Sequence, residues 1–320
     1  MIRLRIALFS AALVATFSAA TAQPPGQPIR AHAGLIHAVA VSPDGKRLAT
    51  AGFDNTIKIW DLAADGTLKE VKTLTGHTGP VYAVAFHPKD NLLASTSLDK
   101  TVRLWNLADG KSTIEFKGHT DIVDTVAFSP DGKILATAGA DKSVRLWNAA
   151  DGKETKNLGS HAGSVYTVVF APDGKTLASA DGDNLIKIWD VPGQKELKVL
   201  KGHEQPVTAL TFAGEPGTLI SASMDRTIRV WDVATGKESK KLGPTSDDPY
   251  AVAWSPATKS IGVCGYSGQV SVWTTADLMK PKFLQAIKSP GYCVAFTADG
   301  KALISGHDNG TVVVTPITGK

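Results

Sequence analysis

The sequence is built on a repeat, and a repeat constrains the fold more tightly than any local propensity. Trp60, Trp105, Trp147, Trp189, Trp231 and Trp273 are spaced 45, 42, 42, 42 and 42 residues apart. A further step of 42 lands on Thr315 inside TVVVT, a worn copy. His32, His77, His119, His161 and His203 keep the same rhythm, 45 and then 42 three times. The extra residues fall in the loop DLAADGTLKE after Trp60. A unit this short cannot bury a core alone, so neighbouring units must stack.

Each unit reads as four short strands. After the histidine comes an apolar, β-branched run (VYAVAF, IVDTVAF, VYTVVF), then a turn such as SPDG at Ser42–Gly45 and Ser129–Gly132 or APDG at Ala171–Gly174. Proline presets φ in that turn and glycine takes a positive one. A second strand (RLATAG, ILATAG, TLASAD), a tight turn carrying Asp, and a third strand ending in Trp (TIKIW, TVRLW, LIKIW) follow. A more polar fourth strand (EVKTLTGH, STIEFKGH) leads to the next unit. Four antiparallel strands per unit make a propeller blade.

The recurring GH…D-x-x-[IV]-[KR]-[IL]-W-[DN] pattern resembles the WD-repeat β-propeller family over residues 26–320. The expected fold is all-β: a single seven-bladed propeller over 23–320. Its repeats run at about 32–76, 77–118, 119–160, 161–202, 203–244, 245–286 and 287–320 plus 23–31. The last copy stops after its third strand at Val312–Pro316, and Gly26–Ala31 supplies a spare strand before the first histidine. Pairing the two closes the ring and removes two open sheet edges.

Every complete copy holds a His, a hydroxyl, an Asp and a Trp: His32, Thr50, Asp54, Trp60; His77, Ser95, Asp99, Trp105; His119, Thr137, Asp141, Trp147; His161, Ser179, Asp183, Trp189; His203, Ser221, Asp225, Trp231. Ser, His and Asp together suggest a catalytic triad. Identical active sites in every copy are implausible, and the resemblance implies structural hydrogen-bond networks instead. The sixth copy has Thr245, Val263 and Ser267 in place of His, hydroxyl and Asp; the seventh has Ile287, Asn309 and Thr315 for His, Asp and Trp but keeps Ser305. These two blades are expected to be the softest part of the ring.

Function is sought where the copies differ. Tyr82, Tyr166, Tyr250 and Tyr292 share one repeat position, occupied elsewhere by His37, Asp124 and Thr208. Tyr266 stands just before the turn Asp position, where other copies have Phe53, Leu98, Ala140, Gly182, Met224 and Asp308. The resemblance implies that both positions ring the mouth of the central channel on one face, where such propellers contact peptides and proteins. Tyrosine suits binding, with large area and few rotamers. Asp124, Asp248 and Asp308 would favour a basic ligand group. The expectation is a non-catalytic, monomeric protein- or peptide-binding scaffold with no cofactor and no metal. The alternative is a small-molecule hydrolase at the same mouth, drawing on His37, Asp124, Asp248, His307 and Asp308.

The N-terminus, MIRLRIALFSAALVATFSAATA, has a basic start, a short apolar run and a small-x-small end at Ala20–Ala22. That reads as a signal peptide over 1–22, and places the protein in a bacterial periplasm or the medium. No other stretch is long enough for a membrane span. The net charge of +4 is too small to argue for nucleic acid, and Lys58, Arg103, Arg145, Lys187 and Arg229 are spread one per blade. An exported protein could join Cys264 to Cys293, or bury two thiols; the sequence leaves both open. Asp181–Asn184 resembles the start of a calcium loop but lacks its spaced ligands, and reads as a turn.

Overall fold

The structure, a computed structural model, describes residues 26–214, 217–243, 245–274 and 281–317. The expected signal peptide, residues 1–22, lies outside the described residues. Short β-branched segments separated by Gly, Asn and Asp turns favour hairpins over crossovers, so the chain meanders. Among the described residues there are 28 strands and no helix, arranged as seven four-stranded antiparallel sheets. Within a blade the strands run in sequence order, as in Val123–Phe128, Ile134–Gly139, Ser143–Asn148 and Glu154–Ser160 of blade three.

The seventh sheet is the exception that closes the ring. Its outermost strand is Ile29–Arg30, paired with Thr311–Pro316 through Ile29↔Val312 and Arg30↔Thr311. The Gly26 amide extends the contact by donating to the Val314 carbonyl at 2.7 Å. The first and last strands therefore cover each other's edges, as the truncated seventh copy predicts.

The core lies between blades. Trp147 of blade three packs with Ala94, Val102, Leu104 and Phe116 of blade two, and Trp105 packs likewise on Ile57, Ile59 and Leu74 of blade one. Trp105 and Trp147 are each 1% exposed. Blades one to five thus each bury an indole against the preceding blade of the ring, and a blade alone would expose it. Thr315 leaves no indole between blades six and seven, and Phe296 and Leu303 pack against Val270 and Val272 instead. Cys264 and Cys293 are both buried free thiols, so the disulfide is not made.

Turn geometry also repeats. The residue after the turn Asp has positive φ in every blade, at Asn55, Lys100, Lys142, Asn184 and Arg226, with values of 64–69°. Blades six and seven use Gly268 and Gly310 at 79°. There a Cβ would come within 2.0 Å of the Ile287 carbonyl oxygen and 2.2 Å of that of His32. The two irregular blades have thus turned a strained position into an obligatory glycine.

Candidate functional site

The recurring polar residues settle as chains of hydrogen bonds. In blades one to five the indole N–H donates to the Thr or Ser hydroxyl oxygen at 2.8–3.1 Å. That hydroxyl donates to histidine Nε2 at 2.6–2.8 Å. Histidine Nδ1–H in turn donates to a carboxylate at 2.8–2.9 Å. An indole can only donate and a carboxylate only accept, so the direction and the histidine tautomer are both fixed. Burial alone would raise the Asp99 carboxyl, but bonds from Thr101 and His77 outweigh it and hold the group at about 2. Asp225 is held at about 2 in the same way by Thr227 and His203. Burial keeps His77 and His203 below the usual imidazole value, although the carboxylates oppose it. These groups are fully engaged and have nothing left to offer a ligand.

Blade four corrects one sequence expectation. The carboxylate on His161 belongs to Asp181, at 2.8 Å, and not to Asp183, which is exposed. Asp181 ends the second strand and also accepts the amides of Asp183 and Leu185 at 3.0 Å. The same position is Gly52 in blade one, where a Cβ would sit 2.2 Å from His32 Nδ1. A side chain there points at the imidazole, so a carboxylate reaches it from two residues earlier. The DGDN sequence is therefore a turn tied to a tetrad.

Blade seven uses that position differently. His307 is fully buried, donates from Nδ1 to the Ser289 carbonyl at 2.9 Å, and takes the Ser305 hydroxyl at 2.8 Å. An imidazole is restored from the second strand where Ile287 had removed one. In blade six no imidazole returns. Trp273 donates to Ser271 on its own strand at 3.0 Å, and the Asp247 carboxylate caps the turn at Ser267. A cavity of about 270 Å³ remains beside Trp273 and Val263.

The variable residues lie at the channel mouth, put there by a β-bulge in every blade. Pairing of the two inner strands slips between Ile36 and Ala38, Val81 and Ala83, Val123 and Thr125, and Val165 and Thr167. It slips again between Val207 and Ala209, Pro249 and Ala251, and Gly291 and Cys293. The skipped residues are His37, Tyr82, Asp124, Tyr166, Thr208, Tyr250 and Tyr292. A bulge re-aims the extra side chain away from the regular alternation. All these residues line one cavity of about 410 Å³, with Met224 at its edge.

The second ring is pinned just outside the first. The amides of Phe53, Leu98, Met224, Tyr266 and Asp308 donate to the Leu35, Pro80, Pro206, Asp248 and Pro290 carbonyls at 2.8–3.1 Å. Large apolar side chains are exposed on this face: Leu98 40%, Tyr166 40%, Met224 38% and Tyr266 60%. Thr208 lines the cavity as fully as the tyrosines at its repeat position do.

The mouth has two unlike halves. From blade six round to blade two, rings form a continuous arc. Tyr266 meets Tyr250 edge-on, Tyr250 stacks on Tyr292 at 5.0 Å and 7°, and His37 lies 6.3 Å further on. His37 then stacks on Phe53 at 5.8 Å and touches Tyr82 at 4.7 Å. Its Nδ1 donates to the Tyr82 carbonyl at 2.7 Å, and burial, opposed by that bond, keeps the ring below its usual pKa. Across the mouth stand Asp124, Tyr166, Thr208 and Met224. Thr208 is engaged by the Pro249 carbonyl at 2.9 Å.

Asp124 is engaged by nothing among the described residues. Burial, reinforced by like charge from Asp121 and Asp141, pushes its carboxyl up to about 7. The other rim acids differ: Asp248 pairs with Arg226 at 2.8 Å, and Asp308 accepts the Ser289 hydroxyl. Burial comes first in raising the phenols of Tyr82, Tyr166, Tyr250 and Tyr292, with nearby charges adding to it. They are thus protonated donors at neutral pH, and none has a hydrogen-bond partner among the described residues.

Other candidates are spent elsewhere. The third-strand cations each meet an outer-strand glutamate, Lys58–Glu70, Arg103–Glu115, Arg145–Glu154, Lys187–Glu196 and Arg229–Glu238, at 2.6–2.9 Å. A cleft of about 480 Å³ between blades one and two is formed by turns whose polar groups bind one another, as Ser42 to Asp44 and Arg47 to Asn91. Of His37, Asp124, Asp248, His307 and Asp308, only His37 and Asp124 are among the residues lining the cavity. Among the described residues no group of three or more His, Cys, Asp and Glu side chains is placed to hold a metal. No helix of the described residues is long and apolar enough to cross a membrane.

Comparison with known proteins agrees with this geometry. The family model described as WD domain, G-beta repeat matches residues 24–61, 68–106, 110–148, 152–190, 194–232 and 288–314. The stretch passed over, 233–287, contains blade six, which lacks the tetrad. Nucleoporin SEH1 of Caenorhabditis elegans is 48% identical over 42 residues, 13% of this chain and 12% of that protein. The likeness is one repeat long. Propellers of this family typically serve as scaffolds for protein interaction. With its repeats matched across most of its length and its blades closed into a ring, the chain belongs to the WD-repeat family of β-propellers.

Proposed function

We propose that this protein is an exported, non-catalytic scaffold that binds a protein or peptide at the tyrosine-lined mouth of its channel. One observation carries the reading: the bulge residues present an aromatic arc, free phenols and a carboxylate whose hydrogen-bonding capacity is unused. Unmet polar groups beside exposed rings are what a partner would complete. The blades are nearly alike in their fold residues and unlike at the mouth, which suits a frame presenting different contacts. Export rests on the basic, apolar and small-residue leader at residues 1–22. The nucleoporin likeness is only 42 residues long, and no partner is inferred from it.

The test is capture from the envelope and medium of the producing cell. Wild type is compared with the triple variant Tyr82→Ala/Tyr166→Ala/Tyr250→Ala at matched thermal stability. Partners retained by wild type and lost by the variant are expected. Partners held equally by both would move the site to another surface.

A further inference from the structure

We propose that the mouth receives an arginine side chain of its peptide ligand, with the Asp124 carboxylate as its anchor and tyrosine rings as its walls. This rests on the mouth being the binding surface, and goes further by stating the chemistry of what enters. Among the described residues Asp124 is the one acid lining the cavity, and no cation pairs with it. Asp248 has Arg226 and Asp308 has Ser289, so the protein has paired its other rim acids and left this one open. The neighbouring bulge positions are Tyr82 and Tyr166, whose phenols feel the Asp124 charge.

The shape of the site selects among cations. A guanidinium can bond a carboxylate through two parallel N–H groups and still has donors left for phenol oxygens. Its flat face stacks on aromatic rings, and it is more weakly hydrated than an ammonium, so entering an aromatic-lined cavity costs it less. An acidic or wholly apolar segment would leave Asp124 buried without a counter-charge. Lysine satisfies the charge but not the planar walls.

A positional-scanning library of acetylated hexapeptides, presented to the purified full chain, tests this. Arginine should be selected at one position. Replacing it in the best hexapeptide by citrulline, which keeps the shape and removes the charge, should weaken binding about tenfold to a hundredfold. Asp124→Asn should weaken the arginine peptide by a similar factor, and lysine should fall between arginine and citrulline. Selection of acidic or apolar peptides would overturn the proposal. So would an arginine peptide that Tyr166→Ala loses and Asp124→Asn retains; the mouth would then still bind, but not through this anchor. Binding unaffected by either variant, or no peptide bound at all, would sink both readings together.

Discussion

The blade tetrads and the channel mouth use the same kinds of residue to opposite ends. Both contain histidine, aspartate and aromatic rings, repeated around one axis. In a tetrad each donor meets an acceptor within about 3 Å, and Asp99 and Asp225 are held at about 2. At the mouth Asp124 has no hydrogen-bond partner among the described residues and is pushed up to about 7. The difference teaches where to look for function in a repeat protein. Residue type does not separate fold from binding here; satisfaction does. A polar group that its own blade completes is architecture, and the open carboxylate at the mouth is where we propose that a partner binds.

The largest test of that division removes an indole. Trp147→Ala should cost about 3–5 kcal/mol in chemical denaturation, since it empties an inter-blade core and takes from the Thr137 hydroxyl oxygen the N–H that it accepts. The mouth should still bind if the variant folds. A cost under 1 kcal/mol would mean that the blades do not depend on their indoles.

A sharper test separates two aspartates two residues apart. Asp181→Asn should destabilise by about 2 kcal/mol, because Asp181 is fully buried and bonded to His161 and two amides. Asp183→Asn should stay within about 0.5 kcal/mol, as a solvated turn residue does. Thermal melts of both decide it, and equal effects would restore the assignment suggested by the repeat spacing.

That misplacement shows what the sequence could and could not reveal. The period of 42 residues, the four strands per unit and the closure by Gly26–Ala31 were all legible, because recurrence and edge pairing leave few alternatives. The Asp183 position follows the same rhythm and was wrong, since a carboxylate can reach the same imidazole from either end of a short turn. The sequence offered His307 only as a hydrolase candidate, because it restores its blade's imidazole from a strand where the other copies have Gly, Ser or Asp. The bulges were invisible too. Nothing in VYAVAF or VDTVAF announces a skipped residue, although the skip is what aims Tyr82 and Asp124 into the mouth. The tyrosine position could be found from the repeat, but its freedom from partners needed coordinates.

A smaller effect concerns the irregular blades. Blade six has no imidazole and a cavity of about 270 Å³, and blade seven buries Thr315 Oγ1 with no hydrogen-bond partner among the described residues. Amides in the inner strands of these blades should exchange before those of blades three and four, by about tenfold or more if local stability differs by 1–2 kcal/mol. Blades three and four opening first would show that the tetrads are not what holds the ring.

The two populations of carboxylate also predict opposite pH dependence, and this gives the most direct measurement. Asp99 and Asp225 are depressed from 3.8 to about 2, so their contribution is present above pH 4 and is lost as pH falls towards 2. Asp124 is raised from 3.8 to about 7, so between those values the folded protein binds more protons than the unfolded chain. Its contribution therefore worsens as pH rises through that window. Thermal unfolding of wild type, Asp124→Asn and Asp181→Asn at pH 5 and pH 8 sets the two regions side by side. Asp124→Asn should raise stability at pH 8, by on the order of 2 kcal/mol, and by less at pH 5, while Asp181→Asn lowers it at both. If Asp124→Asn instead lowers stability at pH 8, the mouth carboxylate is part of the fold, and the division between completed blades and an open mouth fails.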